Sequence, residues 1–174
     1  DFLPGEFSGL PRDYLAGLAA RRRAEPADDL MSALVAAEDD GDKLTEDELL
    51  MTAGLLFAAG FETTTNLLAN SVAALLHHPD QLALLRDDPE LAVPATEELL
   101  RYDSPVQLLT RVAWDDLEIA GIPISGGDRI VSYVGAGNRD PERFPEPDRL
   151  DLARPDNAPL SFGGGIHYFL GAPL

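Results

Sequence analysis

Phe162-Gly163-Gly164-Gly165-Ile166-His167-Tyr168-Phe169-Leu170-Gly171 is the stretch on which the reading of this 174-residue chain turns. Four glycines in ten residues rule out a helix or strand interior and point to a tight loop. It is not a phosphate loop, because no Gly-Lys-Ser/Thr follows. It is not a dinucleotide fingerprint either, because Tyr168 stands where the third glycine would be. Ser161, just before it, lacks the context of a nucleophile elbow. The chain contains no cysteine, which excludes disulfides and fits a reducing, cytoplasmic compartment.

Upstream of the loop, Asn138 to Asn157 is rich in proline and charge, so an ordered meander with little regular structure is expected. Before it, Val112 to Ala120 and Gly121 to Ile124 flank an Ala-Gly turn, and Ile130 to Val134 follows Ser125-Gly126-Gly127-Asp128. Two or three short antiparallel strands are predicted there. Everything earlier has helical spacing. Thr45-Glu46-Asp47-Glu48 has the form of a capping box and should start a long helix that Pro79 stops near His77. A short helix from Pro79 to Arg86 and another from Pro89 to about Tyr102 follow it. Ahead of it, Arg12 to Arg23 forms one helix, Asp28 or Asp29 caps a second through Leu30, Leu34 and Val35, and Glu38 to Asp42 is a loop.

Three further patterns carry chemistry. Ala59-Gly60-Phe61-Glu62-Thr63-Thr64 lies inside the long helix, where Gly60 removes a side chain and a carboxylate stands next to hydroxyls, an arrangement that can relay protons. The plainer alternative is close helix packing at Gly60 and a solvated Glu62. Glu98-Leu99-Leu100-Arg101 puts an acid and a guanidinium on one helical face, where they can pair bidentately; an ordinary surface salt bridge has the same spacing. Phe144-Pro145-Glu146-Pro147-Asp148-Arg149 supplies a second arginine downstream. His77 and His78 are adjacent and face different ways, so no zinc site is expected.

Taken together, these motifs resemble the carboxyl-terminal half of the cytochrome P450 family, bacterial type, over essentially the whole chain. The family's haem-binding loop runs Phe-Gly-x-Gly-x-His-x-Cys-x-Gly. Phe162, Gly163, Gly165, His167 and Gly171 match it, and Phe169 stands where the family has its iron-ligating cysteine. The resemblance implies an oxygen-activation site at Gly60, Glu62 and Thr63. It implies a structural triad of Glu98, Arg101 and Arg149, and haem-propionate contacts at Arg111 and His167. It further implies a mainly α fold with a small antiparallel β-sheet, one partial domain over residues 1–174: helical to 103, strands in 104–137, meander in 138–160, then the loop and the start of the next helix. The implied activity is haem-dependent monooxygenation of a small lipophilic substrate, with electrons from a redoxin.

With Phe169 at the ligand position, the chain is expected to be unable to form haem-thiolate, and hence to be degenerate or a haem-free auxiliary or interaction protein. The alternative is a working haem monooxygenase whose missing half or ligand is supplied otherwise. Asp1 in place of methionine, and a length consistent with half of such a protein, give the reading of a fragment or remnant. A protein partner or self-association is then expected over an exposed apolar face of the long helix. Thirty-one acidic against thirteen basic residues give a net charge of −18, which argues against nucleic acid and anionic membranes as partners. No signal-peptide pattern is read at the start, and the longest nearly apolar run, Leu49 to Phe61, is too short to span a bilayer.

Overall fold

The computed structural model describes residues 12–39 and 44–172. The Asp40–Asp42 part of the loop expected after the second helix, and the last two residues, lie outside that range.

Six α-helices and four β-strands make up the described chain: α1 (Arg12–Ala24), α2 (Leu30–Asp39), α3 (Glu46–His77), α4 (Pro79–Asp87), α5 (Ala92–Tyr102), β1 (Leu109–Val112), β2 (Leu117–Ile119), β3 (Ile122–Ile124), β4 (Arg129–Ser132) and α6 (Val134–Gly137). Their starts are set by local hydrogen bonds. Asp29 accepts the Ser32 N–H at 2.9 Å through its carboxylate and so caps α2. At α3, the Glu48 carboxylate accepts the Thr45 N–H at 2.8 Å while Thr45 Oγ1 accepts the Glu48 N–H at 3.3 Å, a reciprocal capping box. Thr45→Ala is expected to cost about 1 kcal/mol, read as a lower denaturation midpoint; an unchanged midpoint would show that tertiary packing alone sets this helix start.

At its other end α3 stops before Pro79, and its 32 residues extend about 48 Å. His77 and His78 each place Nδ1 2.8 Å from the carbonyl four residues back, Ala73 and Ala74, so both rings close the helix end. Asp88 then accepts the Glu90 N–H, and a single 3₁₀ turn at Pro89–Leu91 leads into α5. Among the described residues no helix is long and apolar enough to cross a membrane.

The strands form two separate two-stranded ribbons rather than one sheet. β2 and β3 pair around a two-residue turn in which Ala120 and Gly121 both have positive φ, the geometry that matches strand twist. β1 pairs with β4 in the register Leu109↔Ser132 to Val112↔Arg129. The sequence reading missed two points here. The strand expected over residues 112–120 is present only as β2, and β1, at Leu109–Val112, lies outside the expectation because its partner is 17 or more residues away and no turn signal adjoins it. Val134 leaves the expected strand to start α6, where it is buried.

Contacts divide the chain into two compact units, Asp1–Glu62 and Thr63–Leu174, with the boundary inside α3. The first unit has its own core, in which Leu15 and Ala19 of α1, Met31 and Val35 of α2, and Leu49, Leu50 and Ala53 of α3 are buried together. The second is built around α5: Ala95 and Leu99 pack with Ala74, Leu150 and Leu152. Leu150 and Leu152 belong to the meander, which explains why a segment without regular structure is ordered.

Candidate functional site

Glu98 and Arg101 are the most buried charged side chains in the second unit, with 0% and 1% of their surface exposed. One helical turn apart on α5, they meet fork to fork: Arg101 Nε donates to Glu98 Oε2 at 2.7 Å and Nη2 to Oε1 at 2.9 Å. The remaining Arg101 donors go to the carbonyls of Asn138, Pro147 and Arg149 at 2.8, 2.8 and 3.2 Å. All five guanidinium N–H groups are thereby used. Phe144, itself buried, lies with its ring centroid 5.4 Å from the Arg101 guanidinium.

The third charge on Glu98 is Arg154, not the expected Arg149. Arg154 Nε donates to both Glu98 oxygens at 3.0 and 3.1 Å, and its side chain is only 8% exposed. Arg149 instead turns its side chain, 59% exposed, toward Glu146 at 3.4 Å, and its contribution to the network is its carbonyl, which accepts from Arg101 and Arg154. The Asp151 N–H and the Asn157 amide complete the shell around Glu98. Nothing local in the sequence distinguishes Arg154 from its neighbours.

Burial on its own would raise the Glu98 pKa, but the Arg101 guanidinium, the Asp151 N–H and Arg154 outweigh it and hold the carboxyl below its ordinary value of 4.5. Native protein then resists a proton that the unfolded chain takes up, so this stability is complete above about pH 4.5 and is lost as pH falls through the native value. Denaturation midpoints are expected to fall as pH drops from about 6 to about 3; a flat profile would contradict the assignment.

From this network the chain reaches the glycine loop through α6. Asn138, fully buried, accepts the Leu160 N–H at 2.7 Å and donates to Ser161 Oγ at 3.0 Å. Ser161 in turn donates to the Leu100 carbonyl at 2.8 Å, which ties the root of the loop to α5. Sequence reasoning did not single out Asn138, and it dismissed Ser161 as a nucleophile without seeing its anchoring role. Gly163, at φ +73° and ψ −151°, adopts a backbone conformation that only glycine takes easily, and a Cβ there would lie 3.6 Å from Leu109 of β1.

Within the loop the Phe169 N–H donates to the Phe162 carbonyl at 3.0 Å, joining its two limbs. Phe169 and Phe162 are half-buried and meet edge to face, ring centroids 6.2 Å apart. Tyr168 meets the same Phe162 ring at 6.3 Å. His167 is exposed, as is Arg111 on β1, whose Nη1 donates to the neighbouring Thr110 carbonyl. Alternation along the strand puts Arg111 on the face of β1 that also carries Leu109, the residue a Cβ on Gly163 would meet.

Gly60 and Glu62 lie in the first unit and Thr63 in the second. A methyl at Gly60 would have no neighbour within 4 Å, so the close packing considered as an alternative reason for this glycine is not found among the described residues. Glu62 is exposed and Thr63 half-buried. The described residues contain no cluster of acids and histidines able to hold a metal ion. Farther along α3, Leu68, Val72 and Leu76 recur at four-residue spacing and are all more than half exposed.

Comparison with known proteins places this geometry. The family model for cytochrome P450 matches residues 16–96 and 90–171. Vitamin D(3) 25-hydroxylase of Pseudonocardia autotrophica is 48% identical over 168 residues, 95% of this chain and 42% of that protein. 6-Deoxyerythronolide B hydroxylase of Saccharopolyspora erythraea is 45% identical over 163 residues, 93% of this chain and 40% of its own. The crystal structure of P450BioI in complex with an acyl carrier protein bearing hexadec-9Z-enoic acid superposes with a TM-score of 0.87 at 45% identity, covering 92% of this chain and 42% of that one. The chain thus spans about two fifths of the length of the relatives it matches.

Proposed function

Because this chain belongs to the cytochrome P450 family, we propose that it is a member without a haem-thiolate centre, acting as a haem-free auxiliary or interaction protein. One observation carries the reading: the position the family motif gives to cysteine holds Phe169, and no other residue of the chain is a cysteine. A thiolate binds iron through a sulfur lone pair. A phenyl ring has none, and the Phe169 ring is taken up by its contact with Phe162. The residues present do not fit a thiolate-ligated haem, so Glu62 and Thr63 have no oxygen-activating role in this reading.

The frame around that position is nonetheless kept. The Glu98, Arg101 and Arg154 network holds the meander on α5, and Asn138 and Ser161 hold the loop root, so this part of the fold stands independently of any haem chemistry. The stripe Leu68, Val72 and Leu76 supports a role in association, since apolar surface repeated along one helix face is typical of contact surfaces. Iron and haem content of the chain expressed with haem precursor tests the reading. Protein without bound iron agrees with it, and one iron per chain on a thiolate would refute it.

A further inference from the structure

The closed loop needs something to hold its return limb. Its first limb is fastened at Leu160 and Ser161 by buried hydrogen bonds to Asn138 and the Leu100 carbonyl. Its tip is not fastened: Ile166 is 97% exposed, and Gly163 and Gly165 sit in left-handed backbone conformations that cost chain entropy to fix. Among the described residues the return limb, from Tyr168 to Ala172, has three backbone bonds, Tyr168 to Gly165, Phe169 to Phe162 and Ala172 to Phe169. Only the second of these crosses to the anchored limb. Beside it stands the Phe169 ring, edge-on to Phe162 at an interplanar angle of 61°, a favoured aromatic arrangement. Leu170, next along, is 84% exposed and secures nothing.

We infer that Phe169 is a positioning residue that fastens loop 162–172 by clasping Phe162, the task a metal–ligand bond would otherwise perform, so that the loop closes without any cofactor. The inference rests on the haem-free reading above but has its own test. Two consequences separate this fastening from general packing. The clasp acts on the return limb alone, because the root is held independently by Asn138. It also requires the Phe162 ring, so removing Phe169 from a chain that already lacks that ring changes nothing further.

Hydrogen exchange of the backbone amides, followed on the purified 174-residue chain, reads both. Phe169→Ala is expected to speed exchange of Tyr168, Phe169 and Ala172 by roughly tenfold while leaving Asn138 and the Leu160–Phe162 root at parental rates. Phe162→Ala, which also removes the ring that Tyr168 meets, should be at least as fast as Phe169→Ala, and the double variant should be no faster than Phe162→Ala alone. Phe169→Tyr, which keeps the ring, should return the parental rates, and Phe169→Leu, which keeps apolar volume without the ring edge, should fall between the two. Return-limb rates unchanged in both Phe169→Ala and Phe169→Leu would overturn the inference. So would equal acceleration of root and return limb, or additive effects of the two rings. Haemin added to the parent chain should leave every rate as it was. If haemin instead slows the loop, the haem-free reading fails, and the substitution series still decides whether Phe169 is the fastener.

Discussion

Arg101→Ala is expected to remove about 3 to 5 kcal/mol of stability, the usual cost of deleting one partner of a truly buried ion pair. The loss is large because the alanine variant leaves Glu98 buried with its main counter-ion gone and three meander carbonyls without their donor. For a chain of this size that corresponds to a melting temperature lower by about 6 to 20 °C; failure of soluble expression would be its extreme form. Arg154→Ala should also be costly, since its nearly buried side chain bridges Glu98 to the carbonyls of Pro145, Glu146 and Arg149. Arg149→Ala is the control. Its exposed pair with Glu146 should contribute no more than about 1 kcal/mol. If Arg149→Ala proved as damaging as Arg101→Ala, the assignment of the third charge to Arg154 would be wrong.

Residue 149 also shows where the sequence stops being legible. The capping box at Thr45 and Glu48, the stop at Pro79 and the α5 pair are encoded within a few residues, so spacing alone reveals them. The choice between Arg149 and Arg154 depends on how a 20-residue meander folds back on α5, which no local pattern around either arginine encodes. The pairing of β1 with β4 was hidden for a similar reason: its partners are brought together by an intervening hairpin rather than by a turn between them. Asn138 and Ser161 are ordinary polar residues until burial makes their hydrogen bonds obligatory. The division of the chain at Glu62 and Thr63 had no sequence signal, because it falls inside one uninterrupted helix.

No thiolate-ligated haem is expected in this chain under any loading condition, and here the effect is all or none rather than a matter of degree. Iron coordination needs a lone pair aimed from the loop. His167 and Tyr168 could offer nitrogen or a phenolate oxygen but neither can offer sulfur, and Phe169 offers nothing. Replacement of Phe169 by cysteine would supply the sulfur and remove the ring that clasps Phe162 in one step, so it serves as the positive control for ligation. The absorption spectrum of the chain, loaded with haem, reduced and exposed to carbon monoxide, tests this directly. The account predicts no band at the position characteristic of thiolate ligation; such a band in the unsubstituted chain, with stoichiometric iron, would contradict it.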